Sequence, residues 1–515
     1  MQAAQGSTPG HETSEGPKQV SPLKGLFEGG SMLLLASVFG NGVNYLFMMF
    51  LARQLGMEDF GVYALGVTLF NTLILLVTTG FDSGTVKFTS ERLALGDQPA
   101  ARRMVVAAWA IAACWGLFTS VVLAVAATPL ASAVYGKPGL ALPLLLFATA
   151  VPFAFTTVLL LSSLQAYQTV RYTVLVKYLW EPLGKWGIVG LALMAGWGLA
   201  GVVGGLAVTF MASAVFAGVA LVRVARPSIH DLSSIQRDDV RVLAGYCFPL
   251  LAANIFGVVA PRMDIMMLGY WASSQDVGLY LVAFQTAAVL ALVLGAFDVA
   301  FAPIMSHAWA RKDDLTFREC YVAVHRMVAM ATVPLFVGVV VFRVEILSLF
   351  GREIGEGGIA LTILALGHLL NAMTGGASTV LLMTGRSRTV LMNTVVYGIA
   401  LVAGTVLLIP RLGILGAAIS ASCALIGVNI LRVWQVWQCH AMLPWTWKTL
   451  KPLAAGLAMG LVLWVVKPYV GSAWSIPLAG FGVVAYLAIL YAARLEADDH
   501  VIMAATLARL RPAGN

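Results

Sequence analysis

Residues 59–63 read Asp59-Phe60-Gly61-Val62-Tyr63, and residues 276–280 read Asp276-Val277-Gly278-Leu279-Tyr280. Each pentapeptide opens an apolar run of about 20 residues, the length that carries a helix across the hydrocarbon core of a bilayer. Reading outward, nearly the same separation persists: Gly80-Phe81-Asp82 returns as Ala296-Phe297-Asp298, 216 on, and Tyr135-Gly136 as Phe350-Gly351, 215 on. Arg171-Tyr172-Thr173-Val174-Leu175 resembles Arg388-Thr389-Val390-Leu391, and Gly198-Leu199-Ala200-Gly201 matches Gly413-Ile414-Leu415-Gly416, all at offsets of 215 to 217. Matches that keep one order and one shift are the mark of an internal duplication.

The apolar windows set what is duplicated. Segments near 31–54, 61–82, 104–127, 140–162, 172–195 and 198–222 form a first set of six. A second set lies near 243–268, 278–304, 321–342, 358–382, 389–409 and 412–434, and two more follow near 452–470 and 475–493. The expected fold is therefore an all-α polytopic membrane protein of 14 transmembrane helices, two parallel six-helix repeats plus two C-terminal helices. Because six is even, both copies begin on the same side, and such repeats are related by an axis along the membrane normal. The expected organisation is a cytoplasmic tail (1–24), an N-terminal lobe (25–228), a C-terminal lobe (229–436), helices 13 and 14 (437–493) and a second cytoplasmic tail (494–515).

Composition agrees. Of 515 residues, 60% are hydrophobic and 51 more are glycine, while only 11% are charged, too few to cover a water-soluble globule of this size. The net charge of +8 reads first as loop topology. With the N-terminus inside, 23 of the 32 Lys and Arg fall on cytoplasmic segments and seven on the opposite side, which places both termini in the cytoplasm. Lys177 and Lys185 remain within a segment. Cys114, Cys247, Cys320, Cys423 and Cys439 are odd in number and widely spaced, so neither a disulfide framework nor a metal site is indicated. Residues 1–22 lack the apolar core of a signal peptide.

The 6 + 6 + 2 layout, with Asp264-Ile265-Met266-Met267-Leu268-Gly269, the Val277-Gly278-Leu279-Tyr280 stretch, Ile346 to Gly351 and Leu381-Leu382-Met383-Thr384-Gly385-Arg386, resembles the Wzx-type polysaccharide flippases of the multidrug/oligosaccharidyl-lipid/polysaccharide exporter superfamily. The resemblance covers roughly residues 25–490. It implies two lobes around a central cavity and alternating-access flipping of an undecaprenyl-diphosphate-linked oligosaccharide across the bacterial inner membrane, for polysaccharide biosynthesis. Membrane lipids, a polysaccharide polymerase and export machinery would be partners, with no nucleic acid and no cofactor. A drug or cation antiporter of the same superfamily is the alternative, against which the two extra helices count. A membrane-embedded polymerase or ligase is the competing enzyme class, but no sizeable external loop, acid/base pair or metal-ligand cluster stands out. Walker motifs are absent, so energy must come from an ion gradient, the membrane potential or metabolite flow.

Ionisable residues inside a bilayer are costly unless paired or wetted, so each is a functional candidate. In the fifth segment Lys177, Glu181 and Lys185 stack at i, i+4 and i+8 with one surplus positive charge, which suits a diphosphate-bearing ligand. The competing reading has Lys177 reaching the interface while Glu181 and Lys185 neutralise each other. Pro182 should free the Tyr178 carbonyl and bend the helix. Arg262 is expected to bind the anion, and Asp264 to take a proton or sodium ion or to hold Arg262. Pro249 and Pro261 predict kinks in the same segment. Asp82 and Asp298, repeat equivalents, suggest an inner gate, with solvation at the boundary as the alternative. Asn41 and Asn44, with Ser37, and Asn71, with Thr68 and Thr78, form polar stripes that would face the substrate path, or else join packed helices. His368 and Asn371 stand one turn apart, and His368 reads more readily as a packed residue. Gly40, Gly42 and Gly201 to Gly205 read as close-packing positions, and Trp445, Trp447, Trp464 and Trp474 as interfacial anchors.

Overall fold

The computed structural model describes residues 22–226, 236–351, 355–470 and 475–492, which form helices joined by short turns, with no strand among the described residues. The expected tail at 494–515, the lobe boundary at 228, Arg352 and Trp474 lie outside them. A helix begins at Pro22, inside the stretch expected to be tail. Nine helices among the described residues are long and apolar enough to cross a membrane, or ten with a bent pair counted as one span.

The chain opens with α1 (Pro22–Thr78), 57 residues and roughly 85 Å at 1.5 Å per residue, far beyond one crossing. Gly56 divides it: its φ of 76° and ψ of 164° are left to glycine because no Cβ stands in the way. Then come α2 (Phe81–Ala94), α3 (Gln98–Pro129) with Asp97 accepting from the Ala100 N–H, and α4 (Ala141–Ala166). The next stretch is split into α5 (Val170–Thr173), a π-helical run Val174–Trp180, and α6 (Glu181–Met194), followed by α7 (Gly198–Ala225). Beyond residue 235 lie α8 (Arg237–Val259), a 3₁₀ turn Ala260–Arg262, α9 (Met263–Trp271), α10 (Ser274–Ala310) and α11 (Asp314–Val341). The chain closes with α12 (Arg343–Ser348), α13 (Gly357–Ala372), α14 (Ala377–Met383), α15 (Ser387–His440), α16 (Leu450–Val466) and α17 (Ser475–Ala492). Gly413, at φ 50° and ψ −127°, divides α15 much as Gly56 divides α1.

The prolines act as expected, by two different routes. Pro261 sits in the 3₁₀ turn between α8 and α9, and a bend of 58° separates 237–251 from 254–271, within the segment that holds Pro249 and Pro261. Pro182 instead ends the π-helical run: without its N–H the Tyr178 carbonyl loses its helical partner, and the preceding residues wind i to i+5. Gly40 of α1 packs over this carbonyl, where an added Cβ would stand 3.1 Å from Tyr178 O. Gly42 has open space beside it, so it is not a packing position. Gly201 and Gly205 do press on Ala192 and Val189 of α6, while Gly204 touches nothing.

Two faces close the gap between the early and late helices. One, here the basic face, carries the α2–α3 turn with Arg92, Arg102 and Arg103. The other, the opposite face, carries the α9–α10 turn. At the opposite face the largest buried apolar cluster runs without interruption from Leu51, Phe60 and Leu65 to Val277, Tyr280 and Leu281. The two pentapeptides meet there: a Cβ on Gly278 would stand 3.1 Å from Gly61 N, and one on Gly61 would overlap the Ser274 carbonyl. Gly61→Ala should therefore push α1 and α10 apart at a cost of about 1 to 3 kcal/mol. The purified variant is expected to unfold at a lower temperature than the parent, and an unchanged transition would show that the helices yield freely.

At the basic face α8 lies against α2 and α3, in an apolar cluster of Val77, Phe81, Met104, Phe155, Leu243 and Cys247. Gly80, the cap of α2, and Gly84 within it admit the backbone and thiol of Cys247. The late helices α16 and α17 sit outside this arrangement, on α11: Gly456 faces Val333, and the Tyr486 hydroxyl donates to Met330 O at 3.1 Å. Trp447 and Trp464 are exposed there, as interfacial anchors are, whereas Trp445 donates to Met373 O at 2.9 Å.

Candidate functional site

The π-helical run and α6 carry the first cluster. Lys177 Nζ lies 3.5 Å from Glu181 Oε1, and Glu181 is buried. Lys185 does not join this pair within ion-pair distance. Its Nζ reaches Asn44 Oδ1 on α1 at 3.5 Å and stands 6.0 Å from the centre of the Phe210 ring. The expected stack of three charges is thus resolved into a neutral pair and a single cation held against a neutral amide. Glu181 and Lys185 lie one regular turn apart on α6 without reaching ion-pair distance, although the Glu181 charge still acts on Lys185. Trp186 anchors the same junction, donating to Val43 O at 3.3 Å and stacking on Phe50. Asn41 and Asn71 are exposed. Thr68 and Thr72 turn their hydroxyls back to carbonyls of their own helix, so that part of the stripe is satisfied internally.

The second cluster surrounds the α8–α9 break. Asp264, 1% exposed, accepts from the Tyr280 hydroxyl at 2.6 Å and from the Ile265 N–H at 2.8 Å. Arg262 donates to Val258 O at 3.1 Å, and no ion pair joins it to Asp264 among the described residues. Tyr280, from the second pentapeptide, holds Asp264 directly, while Asp264 and Arg262 interact only through their charges, beyond ion-pair distance.

Asp82 accepts from the Gly80 and Ser83 N–H groups at 3.1 and 2.7 Å, capping α2 beside α8. Asp298 lies instead against the break between α13 and α14, its Oδ1 2.5 Å from where a Cβ on Gly376 would stand. The two equivalents therefore face different neighbours. His368 packs on Phe284, while Asn371 accepts from Asn429 at 2.7 Å. A cavity of about 400 Å³ on the flank between α13, α15 and α16, lined by Leu370, Met373, Asn429 and Trp445, holds none of the expected site residues. No group of residues able to hold a metal ion occurs among the described residues.

Other contacts between early and late helices had no sequence signal beyond charge. Tyr45 OH and Thr286 Oγ1 are 2.8 Å apart, and Arg53 Nε donates to Leu349 O at 2.6 Å. Lys137 Nζ donates to Gly269 O and Ala272 O, at 2.6 and 2.8 Å, satisfying carbonyls at the C-terminal end of α9. Burial lowers the pKa of Lys137 below that of an ordinary lysine, and the charge of Asp276 opposes the shift.

Residues 50–356 match the family model described as polysaccharide biosynthesis protein. A probable low-salt glycan biosynthesis flippase of Haloferax volcanii, Agl15, is 24% identical over 404 residues, 76% of this chain and 79% of the relative. Among solved structures, the lipid II flippase MurJ in an inward closed conformation superposes with a TM-score of 0.72 at 13% identity, covering 90% of this chain and 97% of the other. A multidrug resistance MATE family transporter of the MOP superfamily, inward-facing, gives a TM-score of 0.67 at 14% identity over 80% of this chain and 98% of the other. At these identities the structural likeness speaks for the fold.

Proposed function

This chain belongs to the polysaccharide biosynthesis protein family, and from that premise we propose that it is a flippase that carries an undecaprenyl-diphosphate-linked oligosaccharide from the cytoplasmic to the outer leaflet of a bacterial inner membrane. The observation that carries this reading is the cation of Lys185, held toward Asn44 and outside ion-pair distance of Glu181. A diphosphate passing between the lobes needs positive charge in a medium where each charge is weakly screened, and Lys185 supplies it. The Lys177–Glu181 pair supports the helix at the π-winding without consuming that charge. Arg262 is a second anion contact, and Asp264, buried with a hydroxyl donor, is the candidate to exchange a proton or sodium ion with the gradient. Asn41, Asn44 and Asn71 would meet the sugar or the phosphate. Asp82 and Asp298 would mark helix ends that part when the basic face opens.

Fourteen crossings in two parallel six-helix lobes, with both termini in the cytoplasm, remain the topology that the charge distribution supports. The meeting of Gly61 with Gly278 supports a two-fold relation between the lobes, since equivalent residues touch only near the axis that relates them. The basic face is then the cytoplasmic one. Turns at Gly56 and Gly413 between successive crossings, with a bend within the segment that holds Pro261, suit lobes that rock about a fixed site.

The test is the lipid-linked intermediate itself. A strain lacking the protein should accumulate prenyl-diphosphate-linked oligosaccharide on the cytoplasmic leaflet, and purified protein in vesicles should restore its passage. Normal distribution of that lipid in the deletion strain, together with sensitivity to toxic cations, would favour the drug or cation antiporter instead.

A further inference from the structure

Asp239 is a buried carboxylate with two arginines and no strong bond to either. It is 3% exposed, at the start of α8, and one oxygen accepts from the Gln236 N–H at 3.3 Å. Arg92 Nη2, at the end of α2, lies 3.8 Å from its Oδ1, and Arg103 Nε, near the start of α3, lies 3.8 Å from its Oδ2. Both separations exceed a hydrogen bond, and the buried Nε of Arg103 has no hydrogen-bond partner among the described residues, nor has that of neighbouring Arg102. The carboxylate thus holds the basic face closed with long-range attraction while leaving guanidinium donors unspent and one positive charge in surplus.

The contact just below is the one that must part for the basic face to open. There Gly84 of α2 admits Cys247 of α8, with Phe81 against Phe248 at 5.6 Å and Phe88 against Tyr246 at 5.5 Å. Arg92 and Arg103 sit at its solvent-side edge, 30% and 22% exposed at the side chain.

Resting on the flippase reading above, we infer that Arg92 and Arg103 form the entry site for the diphosphate group of the lipid-linked substrate, and that the diphosphate opens the basic face by replacing Asp239. A diphosphate carries more charge and more acceptor oxygens than one carboxylate, and guanidinium groups bind phosphate oxygens in pairs at hydrogen-bond distance. Once both arginines turn to the ligand, Asp239 keeps only the Gln236 N–H, and a buried carboxylate without a cation drives α8 away from α2. Opening is thereby coupled to arrival of the correct headgroup, which supplies the differential affinity that a population shift requires.

Cys247, fully buried in the closed contact, reports opening directly. In full-length protein reconstituted in vesicles, with the other four cysteines replaced by serine, alkylation of Cys247 by a maleimide applied at the basic face is followed in time. Farnesyl diphosphate in the vesicles should speed alkylation roughly tenfold, and farnesol should not. Asp239→Asn, which keeps an acceptor for the Gln236 N–H, should be fast without any ligand. Arg92→Gln with Arg103→Gln should remove the response to farnesyl diphosphate. Slow alkylation of the Asp239→Asn protein, or a farnesyl diphosphate response that survives loss of both arginines, would overturn the inference. Inorganic pyrophosphate matching farnesyl diphosphate would assign the site to a soluble anion and overturn the lipid-linked ligand. Since alkylation involves no transport, a protein that answers farnesyl diphosphate but flips no oligosaccharide refutes the flippase reading and not the entry site.

Discussion

A Gly84→Cys protein, oxidised so that the new thiol joins Cys247, should lose transport altogether and regain it on reduction. A Cβ at residue 84 stands 2.7 Å from Cys247 Sγ, near enough for a disulfide to form with little backbone movement. The bridge would tie α2 to α8 at the apolar contact of the basic face, and a lobe that cannot part there cannot admit substrate. The remaining cysteines are replaced beforehand. Gly84→Ser, which crowds the same contact without a bridge, reports the cost of packing alone. Flipping of lipid-linked oligosaccharide into vesicles is the measurement, and full activity with the disulfide shown to be in place would mean that these helices stay together throughout the cycle. A bridge between Asp82 and Asp298, the first choice from the repeat alone, has less to join, because Asp82 faces α8 while Asp298 faces Gly376.

Lys185→Gln should reduce flipping by about a hundredfold, corresponding to roughly 2.7 kcal/mol of lost charge stabilisation, with the protein still inserted at normal abundance. Abundance is retained because Glu181 keeps its partner at 3.5 Å, Lys177. For the same reason, adding Glu181→Gln to Lys185→Gln should not restore transport. Lys177→Gln is the contrasting variant: it leaves the buried Glu181 unpaired. Breaking a fully buried pair costs about 3 to 5 kcal/mol, and Lys177 is 42% exposed, so about 2 kcal/mol is expected here after solvent screening. Membrane abundance should fall for Lys177→Gln and return in the double variant with Glu181→Gln. Lys185→Arg keeps the charge and should lose less than Lys185→Gln, though the guanidinium is a different shape. Abundance and flipping measured side by side decide the matter, and recovery of flipping in Lys185→Gln with Glu181→Gln would remove Lys185 from the substrate path.

What the sequence determined by itself was whatever depends on solvent and on chain-local chemistry. Apolar runs of bilayer length dictate helices, since an unpaired backbone polar group is too costly in hydrocarbon, and the helices lie where those runs lie. Prolines 182, 249 and 261 act on groups within four residues of themselves, so their effects could be placed in advance. The duplicated pentapeptides likewise announced two equivalent glycines. Tertiary structure alone decided which charge meets which. Spacing put Lys177, Glu181 and Lys185 on one regular face, but the folded chain pairs Glu181 with Lys177 and brings Lys185 to Asn44, 141 residues away. Asp264 takes its hydrogen bond from Tyr280, 16 residues on, and not from the nearby Arg262. Arg92, Arg103 and Asp239 counted in the sequence only as loop charges. Their meeting needs α2, α3 and α8 packed together, and an ion pair across more than a hundred residues leaves no periodicity to read, because electrostatic attraction depends on distance in space and not on separation along the chain.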